Sequence, residues 1–230
     1  LTLDISNVRT PSGIVAANNV SLSTTDSTQK LIDGPNNATT ENIGTGTLTR
    51  ANFTTNVRTP GFKSTATVSF TPTGKVQTGG TLTLTMPDLG DGTLLQSGWD
   101  FENPSVQFTR PTLSGLVVIS TFTRENRTLT LTITSGSMID AIPHVFTISN
   151  TRTPSSIIDA SNVQAHSVII STFDDSGQPI DVANVTIDSV EKTGSLNGAI
   201  TFNSGSDTPG FLDIATVTFS TTGQLQAGGQ

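Results

Sequence analysis

Few side chains in this sequence are suited to acid–base, nucleophilic or metal chemistry. His144 and His166 are its only histidines, and it has no cysteine. Without cysteine there is no thiolate nucleophile, no zinc–cysteine site and no disulfide frame. Neither histidine falls in a His-Glu-x-x-His motif, and the chain has no Gly-x-Ser-x-Gly elbow or phosphate-binding loop. His144, in Pro143-His144-Val145-Phe146, reads as the start of a strand. The expectation is a protein without catalysis and without a resident cofactor. Calcium is the one ion its loops suggest. Asp88 and Asp91 lie in Pro87-Asp88-Leu89-Gly90-Asp91-Gly92, and Asp174 and Asp175 in Phe173-Asp174-Asp175-Ser176-Gly177. Both segments offer hard carboxylate oxygens. Neither has EF-hand spacing. Asp-Gly and Asp-Ser-Gly are also turn formers, because Asp bonds its own backbone two residues on. Turn chemistry is therefore weighed above calcium.

Other residues suggest attachment and positioning. Asn-x-Ser/Thr sequons occur at Asn19, Asn37, Asn52, Asn126 and Asn184. The chain has 15 Asn, 42 Thr and 25 Ser in 230 residues, so chance alone supplies between four and five sequons. Asn37 and Asn184, each near an Ile-Asp pair, are the first choices for glycans in a secreted protein. Arg9, Arg58 and Arg152 each precede a Thr-Pro pair. A guanidinium there can bond strand-end carbonyls or carboxylates at a junction. Pro11, Pro60, Pro154 and Pro209 would stiffen such joints, since Pro fixes its own φ and biases the residue before it to extended conformations.

The elements that must position these groups follow from composition and pattern. Eleven basic and 18 acidic residues give a net charge of −7, with 13 % charged and 33 % apolar residues. An acidic chain without a basic stripe does not suit nucleic acid. The longest aliphatic run, Leu116-Val117-Val118-Ile119, is far short of the roughly 20 residues of a membrane helix. Thr65 to Phe70, Thr81 to Met86 and Thr128 to Ile133 alternate hydroxyl and apolar residues strictly, the period-2 pattern of half-buried strands. Val117 to Phe122, His144 to Ile148 and Val168 to Phe173 read as further strands, and no apolar stripe of helical period occurs. Short strands with regular turns predict an all-β fold of tandem antiparallel, immunoglobulin-like sandwiches. The expected core unites Phe70, Leu82, Leu84, Trp99, Leu129, Leu131 and Ile133.

The chain also repeats itself. Ile5 to Ser12 returns as Ile148 to Ser155 at an offset of 143. Asp26 and Ile32-Asp33 match Asp174 and Ile180-Asp181 at 148, with Ser27 in place of Asp175. Thr59-Pro60-Gly61-Phe62 and Ala66 to Gly74 match Thr208-Pro209-Gly210-Phe211 and Ala215 to Gly223 at 149. A period of this size is a domain, longer than the roughly 20–50 residues of a solenoid repeat. The expected organisation is the C-terminal part of one repeat (1–56), one complete repeat (57–205, with a sub-boundary near 154) and the start of a third (206–230), a window on a longer array. Lysine occurs only at Lys30, Lys63, Lys75 and Lys192, so sheet edges are expected to be weakly protected.

The Thr-Pro-Gly-Phe, Ala-Thr-Val-Ser-Phe-Thr-Pro-Thr-Gly and Gly-Gly-Thr-Leu-Thr-Leu-Thr-Met-Pro segments resemble tandem repeats of very large extracellular proteins. These include surface, fibre and flagellar-hair proteins of algae and other protists, and extender domains of bacterial adhesins. The resemblance covers nearly the whole chain and implies a non-enzymatic structural role at the cell surface. The implied partners are neighbouring repeats, other copies of the protein, and glycans. An adhesin module that binds glycan or calcium in its loops is the rival expectation, and ice binding on Thr-rich faces ranks below it.

Overall fold

The stretches 65–70, 81–85 and 128–133, where Thr or Ser alternates with apolar residues, form strands, because branched side chains suit a pleated surface with one face buried. The computed structural model describes residues 2–6, 8, 10–11, 13–88, 98–111, 115–155, 158, 166–190, 194–221 and 223. Among these are fifteen strands and no α-helix. Among the described residues, no helix is long and apolar enough to cross a membrane.

Two sheets form the centre. The six-stranded sheet runs β3 (Gly46–Thr47), β13 (Pro179–Thr186), β12 (Ser167–Phe173), β6 (Thr81–Thr85), β10 (Thr128–Ser135), β9 (Val117–Thr123). The five-stranded sheet runs β4 (Thr49–Thr55), β5 (Lys63–Thr71), β11 (His144–Arg152), with β7 (Asp100–Phe101) and β8 (Val106–Arg110) both paired to β11. Every pairing is antiparallel except β13 with β3. The inward residues of both sheets meet in one buried cluster: Leu82, Leu84, Leu129, Leu131 and Ile133 from one, and Phe53, Val68, Phe70 and Phe146 from the other. The architecture fits a β-sandwich. The seven residues expected in one core are all there, none more than 4 % exposed. Trp99 meets Phe53 edge to face at 5.7 Å.

The outward faces carry the hydroxyls. Register places Thr121, Thr130, Thr83 and Ser171 side by side across four strands of the six-stranded sheet. Thr85 and Thr128 share a hydroxyl hydrogen bond at 3.2 Å. Cross-strand hydroxyl pairs of this kind stabilise a solvated sheet face.

A two-stranded hairpin lies on either side of this sandwich in the chain, β1 (Asn19–Thr25) with β2 (Leu31–Thr39) and β14 (Asn197–Ser204) with β15 (Ala215–Ser220). All four strands are exposed throughout. The first hairpin is the sequence copy of β12–β13 and the second of β4–β5. The correspondence reaches single bonds. Asp26 Oδ1 accepts the Thr28 and Lys30 amides as Asp174 Oδ1 accepts those of Ser176 and Gln178. Isolated bridges Val15–Ile43 and Ile158–Val190 close the two copies at the same place.

Candidate functional site

Two of the Thr-Pro segments, at 59–60 and 153–154, are bonded to each other. Residues 151–154, the last two of β11 and the two that follow it, are all buried. The Thr153 amide donates to the Phe62 carbonyl and its hydroxyl to the Thr59 carbonyl, and that hydroxyl accepts the Phe62 amide at 3.0 Å. The Gly61 amide donates to the Pro154 carbonyl at 2.7 Å. Thr59-Pro60-Gly61-Phe62 and Thr153-Pro154 are thus locked side by side within the same sandwich. Gly61 takes a φ of 63°, a conformation a Cβ would strain. The related Pro11 and Pro209 are exposed.

The arginines diverge. Arg9 lies outside the described residues. Arg58 pairs with Asp188 at 2.6 Å on the surface. Arg152 is buried with its guanidinium 3.6 Å from the Asp100 carboxylate, across the β7–β11 pair. The Arg124 fork donates to both oxygens of the same carboxylate, at 3.0 and 2.8 Å. Two guanidinium groups therefore hold one nearly buried carboxylate. Spacing gives no sign of this, since Asp100 and Arg152 become neighbours only through sheet register.

Asp181 is a second buried carboxylate, fully enclosed on β13. Its Oδ2 accepts the Thr73 and Gly74 amides, both at 3.1 Å, and its Oδ1 accepts the Thr73 hydroxyl. Its own amide donates to Thr172 Oγ1 at 3.1 Å. The carboxylate ties the β12–β13 hairpin to the Pro72-Thr73-Gly74 turn. The repeat marks this site, because Asp33 and Thr222-Gly223 copy Asp181 and Thr73-Gly74. A Cβ on Gly46 would lie 2.2 Å from both Asp181 Oδ1 and Thr73 Oγ1, so the chain entering the sandwich passes directly over this contact.

The segment before the sandwich meets that same end. Thr10, Pro11 and Gly13 face Thr73, Gly74 and Ile180 across a groove. A Cβ on Gly13 would stand 2.7 Å from Gln178 Cβ. At the opposite end, Gly223, the copy of Gly74, sits so that its Cβ would be 2.6 Å from the Pro60 carbonyl oxygen. A Thr-Pro corner therefore lies beside a copy of the same glycine turn at both ends.

Asp88 pairs with Arg127 at 3.4 Å, and Asp91 lies outside the described residues. Asp174 caps its own turn through the Ser176 and Gln178 amides, with Asp175 exposed beside it. Among the described residues, no group of three or more metal-ligating side chains occurs. Asn19, Asn37, Asn52, Asn126 and Asn184 are all exposed. Asn126 Oδ1 accepts the Thr128 amide and Asn184 Oδ1 accepts the Ser167 hydroxyl.

Both histidines are buried. His166 Nδ1 lies 3.1 Å from the Ile187 carbonyl. His144 is fully buried, stacked on Phe70 at 5.6 Å, with Nε2 2.9 Å from the Ile139 carbonyl. Burial lowers its pKa below the ordinary 6.5, against a smaller opposing effect of the Ile139 carbonyl. In acid the unfolded chain binds a proton that the folded protein resists, so stability falls as pH drops through 6.5 toward the folded value. The urea midpoint is expected to fall between neutral pH and pH ~5. His144→Phe should lose that part of the decline, and an unchanged pH profile in this variant would refute the assignment.

No protein-family model matches the chain, and no curated protein aligns with it.

Proposed function

We propose that this chain is a non-enzymatic structural repeat of an extracellular fibre, flagellar hair or cell-surface coat, built of immunoglobulin-like sandwiches in tandem. The observation that carries this reading is that flanking segments close on both ends of the central sandwich: Gly13 packs on Gln178, with Thr10 and Pro11 across a groove from Gly74, and Gly223 packs on the Pro60 carbonyl. Gly74 and Gly223 are copies 149 residues apart, and close packing of a flanking segment on the sandwich near each supports a joint of fixed geometry. The sequence period divides the chain into 1–56, 57–205 and 206–230. The packed core runs from Leu48 to Val190, so in this reading the folding unit begins with the strands just before residue 57. The outlying hairpins would then be parts of neighbouring repeats. Exposed sequons suit glycan attachment on such a surface protein.

The test is where the protein resides. Antibodies raised against this chain should decorate fibres or coat on unpermeabilised cells at regular spacing. Labelling confined to the cell interior would overturn the proposal.

A further inference from the structure

The edges of the two central sheets are not equally protected. Sheet edges are normally blunted by short strands, charge, Pro or bulges, because their unpaired backbone groups recruit other strands. β3 and β7 have only two residues each. β8 has five and ends at Arg110, before Pro111. β4 is broken in register between Thr49 and Asn52, with Arg50 at a φ of 52°. β9 lacks three of these devices: it is not short and carries neither charge nor proline. It is seven residues long, Val117-Val118-Ile119-Ser120-Thr121-Phe122-Thr123. Its one register irregularity lies at the Val117 end. It pairs with β10 on one side and, among the described residues, with no strand on the other. Val117 and Ile119 are 51 % and 59 % exposed.

We propose that β9 is the edge through which two copies of this chain join laterally, antiparallel and centred on Ser120, so that the two six-stranded sheets become one sheet twice as wide. The strand is complementary to itself in that register. Val118 of one copy stands opposite Phe122 of the other on the inner face. Ile119 stands opposite Thr121, and Val117 opposite Thr123, on the outer face. Pairs of β-branched with aromatic residues are among the stabilising cross-strand combinations. No charged side chain lies in either strand, so the contact opposes no like charges, which is what favours a second copy over a charged partner segment. Each chain carries a net charge of −7, so the copies repel at a distance. Salt screens that repulsion without weakening the uncharged contact, and association should strengthen as salt is added. The inference deepens the structural reading above by naming the surface through which copies would pack, and it is tested separately from it.

The experiment is sedimentation of the full chain from micromolar to millimolar concentration, at low and high salt. The expected result is a monomer–dimer equilibrium that tightens with salt. Thr121→Lys and Ile119→Lys, both on the outer face of β9, should each weaken it by about tenfold or more. Thr83→Lys, on the same face but on central strand β6, should leave it unchanged. Circular dichroism identical to the parent chain confirms that each variant folds. A chain that stays monomeric throughout overturns the lateral contact, while the surface assignment still rests on antibody labelling. Association unaffected by either β9 variant, or abolished equally by Thr83→Lys, overturns it as well.

Discussion

Asp100→Ala is expected to lower the free energy of unfolding by about 3 kcal/mol, because removing one partner of a buried ion pair leaves the other's charge poorly compensated. Asp100 is 8 % exposed and Arg152 4 %, and Arg124 grips the same carboxylate through two hydrogen bonds. The carboxylate joins the end of β11 to β7 just where the chain turns into the buried Thr153-Pro154 corner. Loss of the charge should loosen that corner first. The contrasting variant is Arg58→Ala. Its 2.6 Å pair with Asp188 has both side chains more than 40 % exposed and is screened by water. It should cost under about 1 kcal/mol. Urea denaturation of both variants checks the pair, and equal losses would mean that burial of the Asp100 group contributes nothing.

Asp181→Ala should cost about 2 kcal/mol, since it strips the acceptor from two backbone amides and a hydroxyl. Asp181→Asn should cost much less. Both amides bond Oδ2, so an Asn side-chain oxygen in that place keeps them, and its NH2 group can donate to Thr73 Oγ1. The loss is then that of charge assistance, about 1 kcal/mol. The copy supplies an internal control. Asp33 is exposed and bonded to Thr24 Oγ1 at 2.9 Å, so Asp33→Ala should change stability by less than about 0.5 kcal/mol. Thermal and urea unfolding of the three variants measures the order. Asp33→Ala as damaging as Asp181→Ala would mean that the hairpin turn alone, not the tie to Thr73 and Gly74, sets the cost.

Much of the fold is legible in residue order because it depends on local period. Thr81-Leu82-Thr83-Leu84-Thr85 can bury only one face, and its leucines are buried while its threonines face outward. The Asp turns are equally local, since Asp26 and Asp174 bond amides two and four residues away. The Asp100–Arg152–Arg124 cluster was not legible. Its members come from three strands or their ends and meet through register, which no spacing rule encodes. His144 reads as a strand start, and β11 does begin there, but its enclosure by Phe70 and Phe108 depends on strands distant in the chain.

The two copies separate what the sequence determines by itself from what tertiary structure decides. Sequence determines the strands, their alternation, the hairpin turns and the paired bridges, for these recur wherever the residues recur. It does not determine burial. Phe53 is 1 % exposed and its copy Phe202 72 %; Val68 is fully buried and its copy Val217 53 % exposed. Asp181 is enclosed, and its copy Asp33 lies in water. The hydrogen bonds of a hairpin are satisfied within the hairpin, so it forms from its own residues. An apolar face leaves water only when a second sheet covers it, and only the central copies have β6, β10 and β11 against them.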